Sequence, residues 1–475
     1  MKSFFKKLLC VVLLLCSIAG FSACGDDVDY SHTIVFYHSQ GQALQPKTAI
    51  AIAKFEAKYP GWKVEQVPCG GYDDVKSKVV SDLQAHIQPD LAYCYADHVA
   101  LYLKTGMVYD MATLINSTEK VDAVFTVNNE EVHQEVMVGY SAEEIADFVP
   151  GYYAEGFATN YADYDTYGFS ATSMLTLPFQ KSTDLLYVNL DALVGANIVD
   201  ENGKAKVATT WEELWEQCAV LKEKYPSCTP IGVDSEANWF ITMCEQNGWG
   251  YTSASEPHYL FNNSEAAAWL EQLQQYSEKE YITTKIINGG GYTSELFRKG
   301  VKDDASGIVY CIGSSGGASN QAGGDFKWGV YPIPGSASST SANPYAAISQ
   351  GPSLVMFKTE RSENVEEKAK MTFLFIKELL DPTFQATFSM QSGYCAVRKS
   401  TQEVEAYADH MNGSDITAVA AKVASSMSER YFASPAFVGS STARTQVGNA
   451  LVYVLGGSKS AEQALRDAYL NCGGK

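Results

Sequence analysis

Gly313-Ser314-Ser315-Gly316-Gly317 is the segment whose residue types read most directly as chemistry, because it spells G-x-S-x-G with Ser315 in the nucleophile position. A serine nucleophile there needs a histidine base, and His410 is the only histidine downstream. No glycine-rich oxyanion segment of the usual type precedes it. Read without covalent chemistry, Ser314-Ser315-Gly316 follows a strand and precedes a helix, so its hydroxyls and free N–H groups suit an anion or a hydroxyl. The plainer alternative is a flexible Gly/Ser turn. Tyr72, Trp239 and Tyr394 offer aromatic faces that pack on the C–H groups of a sugar or glycerol, though most of the 29 tyrosines must be core. The seven histidines are scattered, and His-Glu-x-x-His, Walker and G-x-G-x-x-G patterns are absent. No metal site, cofactor or catalytic residue is therefore expected. A glycosidase carboxylate pair is defined by separation in space, which sequence does not give.

The elements that must position these residues begin with Thr33 to Tyr37, an apolar strand that runs into the polar turn His38 to Gly41. Ile52, Phe55 and Tyr59 mark a helix that Pro60-Gly61 stops. Trp62 to Val67, a helix marked by Val75, Val79 and Leu83, and Leu91 to Tyr95 complete a β-α-β-α-β rhythm. That rhythm argues for a parallel, doubly wound sheet with ligand beyond the strand carboxyl ends, at His38 to Gly41, Tyr72 and Tyr95-Ala96-Asp97. Residues 116–176 read as surface helices and long loops. A second α/β unit opens with the strand Asp184 to Asn189 and a helix capped by Thr210 and Glu213. Strands follow at 307–312 and 353–357, and a long amphipathic helix carries Phe373, Ile376 and Leu380.

Lys2, Lys6 and Lys7 precede an apolar run from Leu8 to Leu15, the pattern of a signal peptide. The run ends in Phe21-Ser22-Ala23-Cys24, which resembles a bacterial lipobox and makes Cys24 the expected lipidation site. Losing those three lysines takes the net charge from −20 to −23, which disfavours nucleic acid as a partner. The eight cysteines after Cys24 lack metal or redox spacing and read as buried small hydrophobes, with a Cys218–Cys228 disulfide left open.

Phe55-Glu56-Ala57-Lys58-Tyr59-Pro60, Pro89-Asp90, Leu177-Pro178-Phe179 with Tyr187-Val188-Asn189, Thr210-Trp211-Glu212-Glu213-Leu214, Phe297-Arg298-Lys299-Gly300 and Gly393-Tyr394 with Arg398 together resemble the family 1 extracellular solute-binding proteins of ABC importers. Phe36-Tyr37-His38-Ser39, Gly71-Tyr72, Pro178 to Thr183, Ser314-Ser315-Gly316 and Ser392-Gly393-Tyr394 are most similar to its glycerol-3-phosphate-binding branch. The resemblance implies an α/β, two-lobed periplasmic-binding-protein-like fold, each lobe a mainly parallel sheet with helices on both faces. It implies a signal at 1–23, a tether at 24–31, lobe I from 32–179 and 306–352, and lobe II from 180–305 and 353–475, with crossings near 177–182, 305 and 353. The contacts it implies are Tyr72, Asp97, Ser182, Trp239, Ser314, Ser315, Gly351, Tyr394 and Arg444. Ala96 stands where that branch has a Glu, and Arg444 lies two or three positions from its binding Arg. A neutral sugar or oligosaccharide therefore competes with a phosphate ligand. The expected function is a non-enzymatic, lipid-anchored, monomeric receptor that passes a small hydrophilic solute to permease subunits. A serine hydrolase using Ser315, and an adhesin or sensor on the same fold, are the alternatives.

Overall fold

The computed structural model describes residues 29–475. The signal segment and Cys24 lie outside the described residues. In chain order the elements that matter are β1 (Thr33–His38), α1 (Gln45–Lys58), β2 (Lys63–Pro68), α2 (Tyr72–Gln84), β3 (Leu91–Cys94), α3 (Ala96–Tyr102), β4 (Leu177–Pro178) and β5 (Asp184–Asn189). After these come α4 (Trp211–Lys224), β6 (Ile231–Val233), α5 (Glu236–Asn247), α6 (Ser264–Glu278), β7 (Ile282–Thr284), β8 (Tyr310–Ser314) and β9 (Trp328–Pro332). The chain closes with β10 (Ser353–Met356), α7 (Val365–Leu379), α8 (Pro382–Ser392), α9 (Ile416–Ser426), α10 (Ser440–Leu455) and α11 (Ala461–Asn471).

Two five-stranded sheets organise the molecule, ordered β2-β1-β3-β10-β4 and β9-β5-β8-β6-β7. β1 lies parallel to β2 and β3, and β10 runs antiparallel between β3 and β4. In the second sheet β6 lies parallel to β7 and β8, while β5 pairs antiparallel with β8 and β9. Every residue of β1 is buried because both faces are covered: Ile34 and Phe36 pack with Phe55 of α1, and Val35 and Tyr37 with Val75 and Val79 of α2. That double cover is why the strand reads as an unbroken apolar run. The Asp90 carboxylate accepts from the Val35 N–H at 2.8 Å and pairs with Lys368 of α7 at 3.0 Å, tying helix to sheet through a buried pair. One continuous core joins the second sheet to α4, α5, α6 and α10.

Several sequence expectations are corrected here. β8 pairs with β5 and β6, so 310–314 belongs to the second sheet and not to the first; β10 pairs with β3 and β4, so 353–356 belongs to the first. The second sheet is built from the consecutive strands β5 to β9, while the first takes β10 from beyond that whole stretch, and spacing along the sequence does not reveal where the chain returns. The crossing expected near 305 is therefore absent, and the return falls between Ile348 and Ser353. The 116–176 stretch also contains an antiparallel hairpin, Lys120–Val127 with Glu130–Met137, whose residues are mostly exposed and carry no clean apolar alternation. Cys218 and Cys228 are both free thiols.

Three segments pass between the sheets side by side. The first leads from β4 to β5, the second from Ile348 to β10, and the third leaves α8 through Tyr394-Cys395. They are laced by backbone bonds: Ser182 N–H to Gln350 O at 2.9 Å and Gln350 N–H to Ser182 O at 2.8 Å on one side, Lys181 N–H to Cys395 O at 3.0 Å and Cys395 N–H to Lys181 O at 2.7 Å on the other. Gly351 holds φ at +101°, and a Cβ there would stand 2.1 Å from the Gln180 carbonyl oxygen. Only glycine permits the crossings to lie this close.

Candidate solute-binding cleft

A cleft of about 850 Å³ opens between the two sheets. Its walls are the turns beyond the carboxyl ends of the parallel strands: Ser39 to Gly41 after β1, Gly70 to Tyr72 after β2 and Tyr95 after β3 on one side, Asp234 and Ser235 after β6 and Lys285 after β7 on the other. This is where open α/β sheets place ligands.

Tyrosines form the wall on the first sheet's side. Tyr72, at the start of α2, lies 4.5 Å from the Tyr95 ring, and its hydroxyl is 3.2 Å from that of Tyr394. Burial pushes the Tyr72 and Tyr95 hydroxyls well above the usual range, so both stay protonated and able to donate. Gly316, opposite, has no room for a side chain, since a Cβ would come within 2.4 Å of the Tyr394 ring. The Gly/Ser turn thus packs directly against the aromatic wall.

Hydrogen-bonding groups cluster at the cleft floor. Asn238 of α5 donates to the Asp184 carboxylate at 3.0 Å and exchanges amide bonds with Gln350 at 2.9 Å each way. Arg444 of α10 donates to Asn238 Oδ1. It makes no ion pair with a carboxylate among the described residues and faces the cleft. Burial raises the Asp184 carboxyl from 3.8 to about 6, offset in part by the Asn238 bond and the Arg444 charge. Gln350 lies in a crossing segment, so the floor is joined to the hinge.

The structure brings Tyr72, Ser182, Ser314, Tyr394 and Arg444 together on this cleft. The other four expected contacts are elsewhere. Trp239 is 3% exposed and packs among Trp211, Trp215 and Trp269, because it projects from the core-facing side of α5 while its neighbour Asn238 faces the cleft. Ser315 is fully buried, and its Oγ accepts from the Thr183 N–H at 3.3 Å. It is a strut between strand ends, and no histidine bonds to it among the described residues, so the hydrolase arrangement is not formed. Asp97 and Gly351 line a separate cavity of about 90 Å³ behind the crossings, which Arg444 also borders. Sequence reading passed over Asn238, Gln350, Asp184, Lys285 and Tyr292. Asp184 begins a strand that the sequence shows, which is the one signal that pointed to it; the other four carry none.

Two α/β halves with a polar, tyrosine-walled cleft at their hinge define a class of protein that encloses a solute. Residues 51–412 match the family described as bacterial extracellular solute-binding protein, and the chain belongs to that family. It is 22% identical over 380 residues to the sn-glycerol-3-phosphate-binding periplasmic protein UgpB of Escherichia coli K12, covering 78% of this chain and 76% of that one. The UgpB of Salmonella typhimurium is 23% identical over 395 residues, with 81% and 79% covered. Among solved structures, UgpB of Mycobacterium tuberculosis in complex with glycerophosphocholine superposes with a TM-score of 0.70 at 17% identity, covering 93% of this chain and 97% of that one. The GacH receptor of Streptomyces glaucescens, described unliganded and with acarbose, gives 0.68 at 15% identity, with 93% and 98% covered. A substrate-binding protein of Listeria monocytogenes in complex with cycloalternan gives 0.67 at 15%, with 93% and 99% covered. These likenesses place the fold as the two-lobed one of ABC substrate-binding proteins.

Proposed function

We propose that this chain is the receptor lipoprotein of an ABC importer, tethered through a lipid on Cys24 and the segment 24–31, which captures a small hydrophilic solute in the interlobe cleft as a monomer and presents it to permease subunits. The lobes in this reading are 32–179 with 353–392, and 184–348 with 396–475, hinged where the three crossings run together. The solute carries an anionic or densely hydroxylated end. The single observation that supports this most is Arg444, a cation facing the cleft beside Asn238 and in no ion pair with a carboxylate among the described residues. A guanidinium left in that state is suited to a phosphate or carboxylate, or to paired hydroxyls. Relatives named for glycerol-3-phosphate and a structural neighbour holding glycerophosphocholine favour the phosphate reading. Neighbours holding acarbose and cycloalternan keep a saccharide in contention.

The mechanism needs no bond making. Open and closed forms interconvert by bending at the crossings, and a solute touching Tyr72 and Arg444 at once gains its full set of contacts only in the closed form, so it shifts the population. Asn238 and Gln350, bonded to each other across the hinge, carry the coupling between the floor and the bend. Thermal shift of the mature protein against glycerol-3-phosphate, glycerophosphocholine and a panel of mono- and oligosaccharides tests the proposal. A saturating true ligand raises the melting temperature by several degrees, since binding at 100 times Kd adds about 2.7 kcal/mol. A flat response across the whole panel would overturn it.

A further inference from the structure

Tyr72 is carried by α2, which packs on the first sheet, and Arg444 by α10, which packs in the core of the second. Outside the crossings, one side-chain bond joins these two helices. Lys76 of α2 donates from Nζ to Ser441 Oγ of α10 at 3.0 Å and to Asp73 Oδ1 of its own helix at 2.7 Å. Lys76 follows Tyr72 by four residues and Ser441 precedes Arg444 by three, so each end of the bond shares a helix face with one of the two cleft residues. Neither Lys76 nor Ser441 lines the cleft itself. The Lys76 side chain is only 18% exposed and Ser441 only 8%, so the ammonium is largely withdrawn from water and depends on the two oxygens it reaches, one on each side. α10 also packs against α3, the helix that follows Tyr95.

A solute that touches Tyr72 and Arg444 together needs the spacing between α2 and α10 fixed, and ordering two bodies at the moment of binding costs affinity. A bond already made between the helices removes part of that cost. Resting on the solute-receptor reading, we propose that Lys76 and Ser441 are positioning residues, whose bond sets the spacing between Tyr72 and Arg444 and hence the span of solute the cleft takes. The pair acts through the two helices and touches no solute. Asp73 fixes the same ammonium from within α2, which reduces the side-chain entropy lost in holding a long lysine against a second helix.

A double-mutant cycle read in solute affinity tests this. Glycerol-3-phosphate, glycerophosphocholine, maltose and cellobiose are titrated calorimetrically into the wild type, Lys76→Met, Ser441→Ala, the double variant and Lys76→Arg, well below the melting temperature of each. For each probe that binds the wild type, Lys76→Met and Ser441→Ala are each expected to weaken it about three- to tenfold, and the double variant no further than either alone, because one bond is lost in all three. Lys76→Arg, which keeps a donor in reach of Ser441, stays within about twofold of the wild type. Single variants that each bind within about twofold of the wild type, or losses that multiply in the double variant, overturn the positioning role. If that happens while Tyr72→Ala and Arg444→Met still weaken the same probe, the cleft reading stands and only the role of Lys76 and Ser441 falls. If none of the four probes gives heat with the wild type, both readings fall together.

Discussion

Two aromatic clusters, one of tryptophans in the second core and one of tyrosines at the cleft, do opposite work. Trp211, Trp215, Trp239 and Trp269 interlock with centroids 5.6 to 6.4 Å apart inside the second core. Tyr72, Tyr95 and Tyr394 gather at the cleft, the Tyr72 and Tyr95 rings 4.5 Å apart and the Tyr72 and Tyr394 hydroxyls 3.2 Å apart. The dividing line is narrow. Asn238 and Trp239 are consecutive on α5, and the helical turn of about 100° per residue sends one to the floor of the cleft and the other into the core. Chemistry of the side chain does not decide which cluster a residue joins; its angle about the helix and its place relative to the strand ends do.

The comparison breaks most visibly on Trp239→Ala. Removing a fully packed indole costs about 3–5 kcal/mol of stability, read by denaturant unfolding, while solute affinity measured well below the melting temperature stays within twofold. Lost affinity with intact stability would mean that the ring reaches the ligand. Arg444→Met is the reverse case: affinity for a phosphate-bearing solute falls about 10- to 100-fold, because a charge-assisted bond is worth about 1.5–3 kcal/mol, and stability changes little. A neutral saccharide would suffer less. Tyr72→Ala weakens binding by about tenfold through loss of a stacking face, again with small change in stability.

The smallest effect is set by pH. Asp184 is raised toward about 6 by burial, so its contribution to stability is fully present below about 4 and is lost as pH rises through 6, where the buried carboxylate must carry its charge. Below pH 6 the neutral carboxyl also leaves the floor less negative beside Arg444. A phosphodiester, whose own charge is constant there, binds roughly three- to tenfold more tightly at pH 5 than at pH 7.5, and Asp184→Asn flattens the profile. A profile unchanged by that substitution removes Asp184 from the site.

Much of the first half was legible because its strands are covered on both faces. β1 and β3 announce themselves as unbroken apolar runs, and the turns after them line the cleft, where open α/β sheets place ligands. The motifs that carried the family resemblance are mostly structural: Phe55, Phe297 and Leu177 are buried core, and Asp90 braces β1. Such residues mark the fold clearly and the ligand hardly at all. Thr210 caps α4 as expected, accepting from the Glu213 N–H at 3.2 Å, but Glu213 returns its bond to Thr209 and not to the cap. Tyr72 and Tyr394 were reachable from motif; Asn238 and Gln350 were not, because an amide's role depends on partners 112 residues apart. Trp239 and Ser315 failed for one reason: a matching position fixes an element, while the direction of a side chain is set by packing.

Closure about the three crossings is the claim on which the rest depends. Spin labels at Ile50 on α1 and Val220 on α4, both exposed, report the distance between the two halves by pulsed dipolar spectroscopy. With the solute that gives the largest thermal shift, the account predicts a shift to a narrower distance distribution that Arg444→Met suppresses. A distribution unmoved by saturating solute would contradict it.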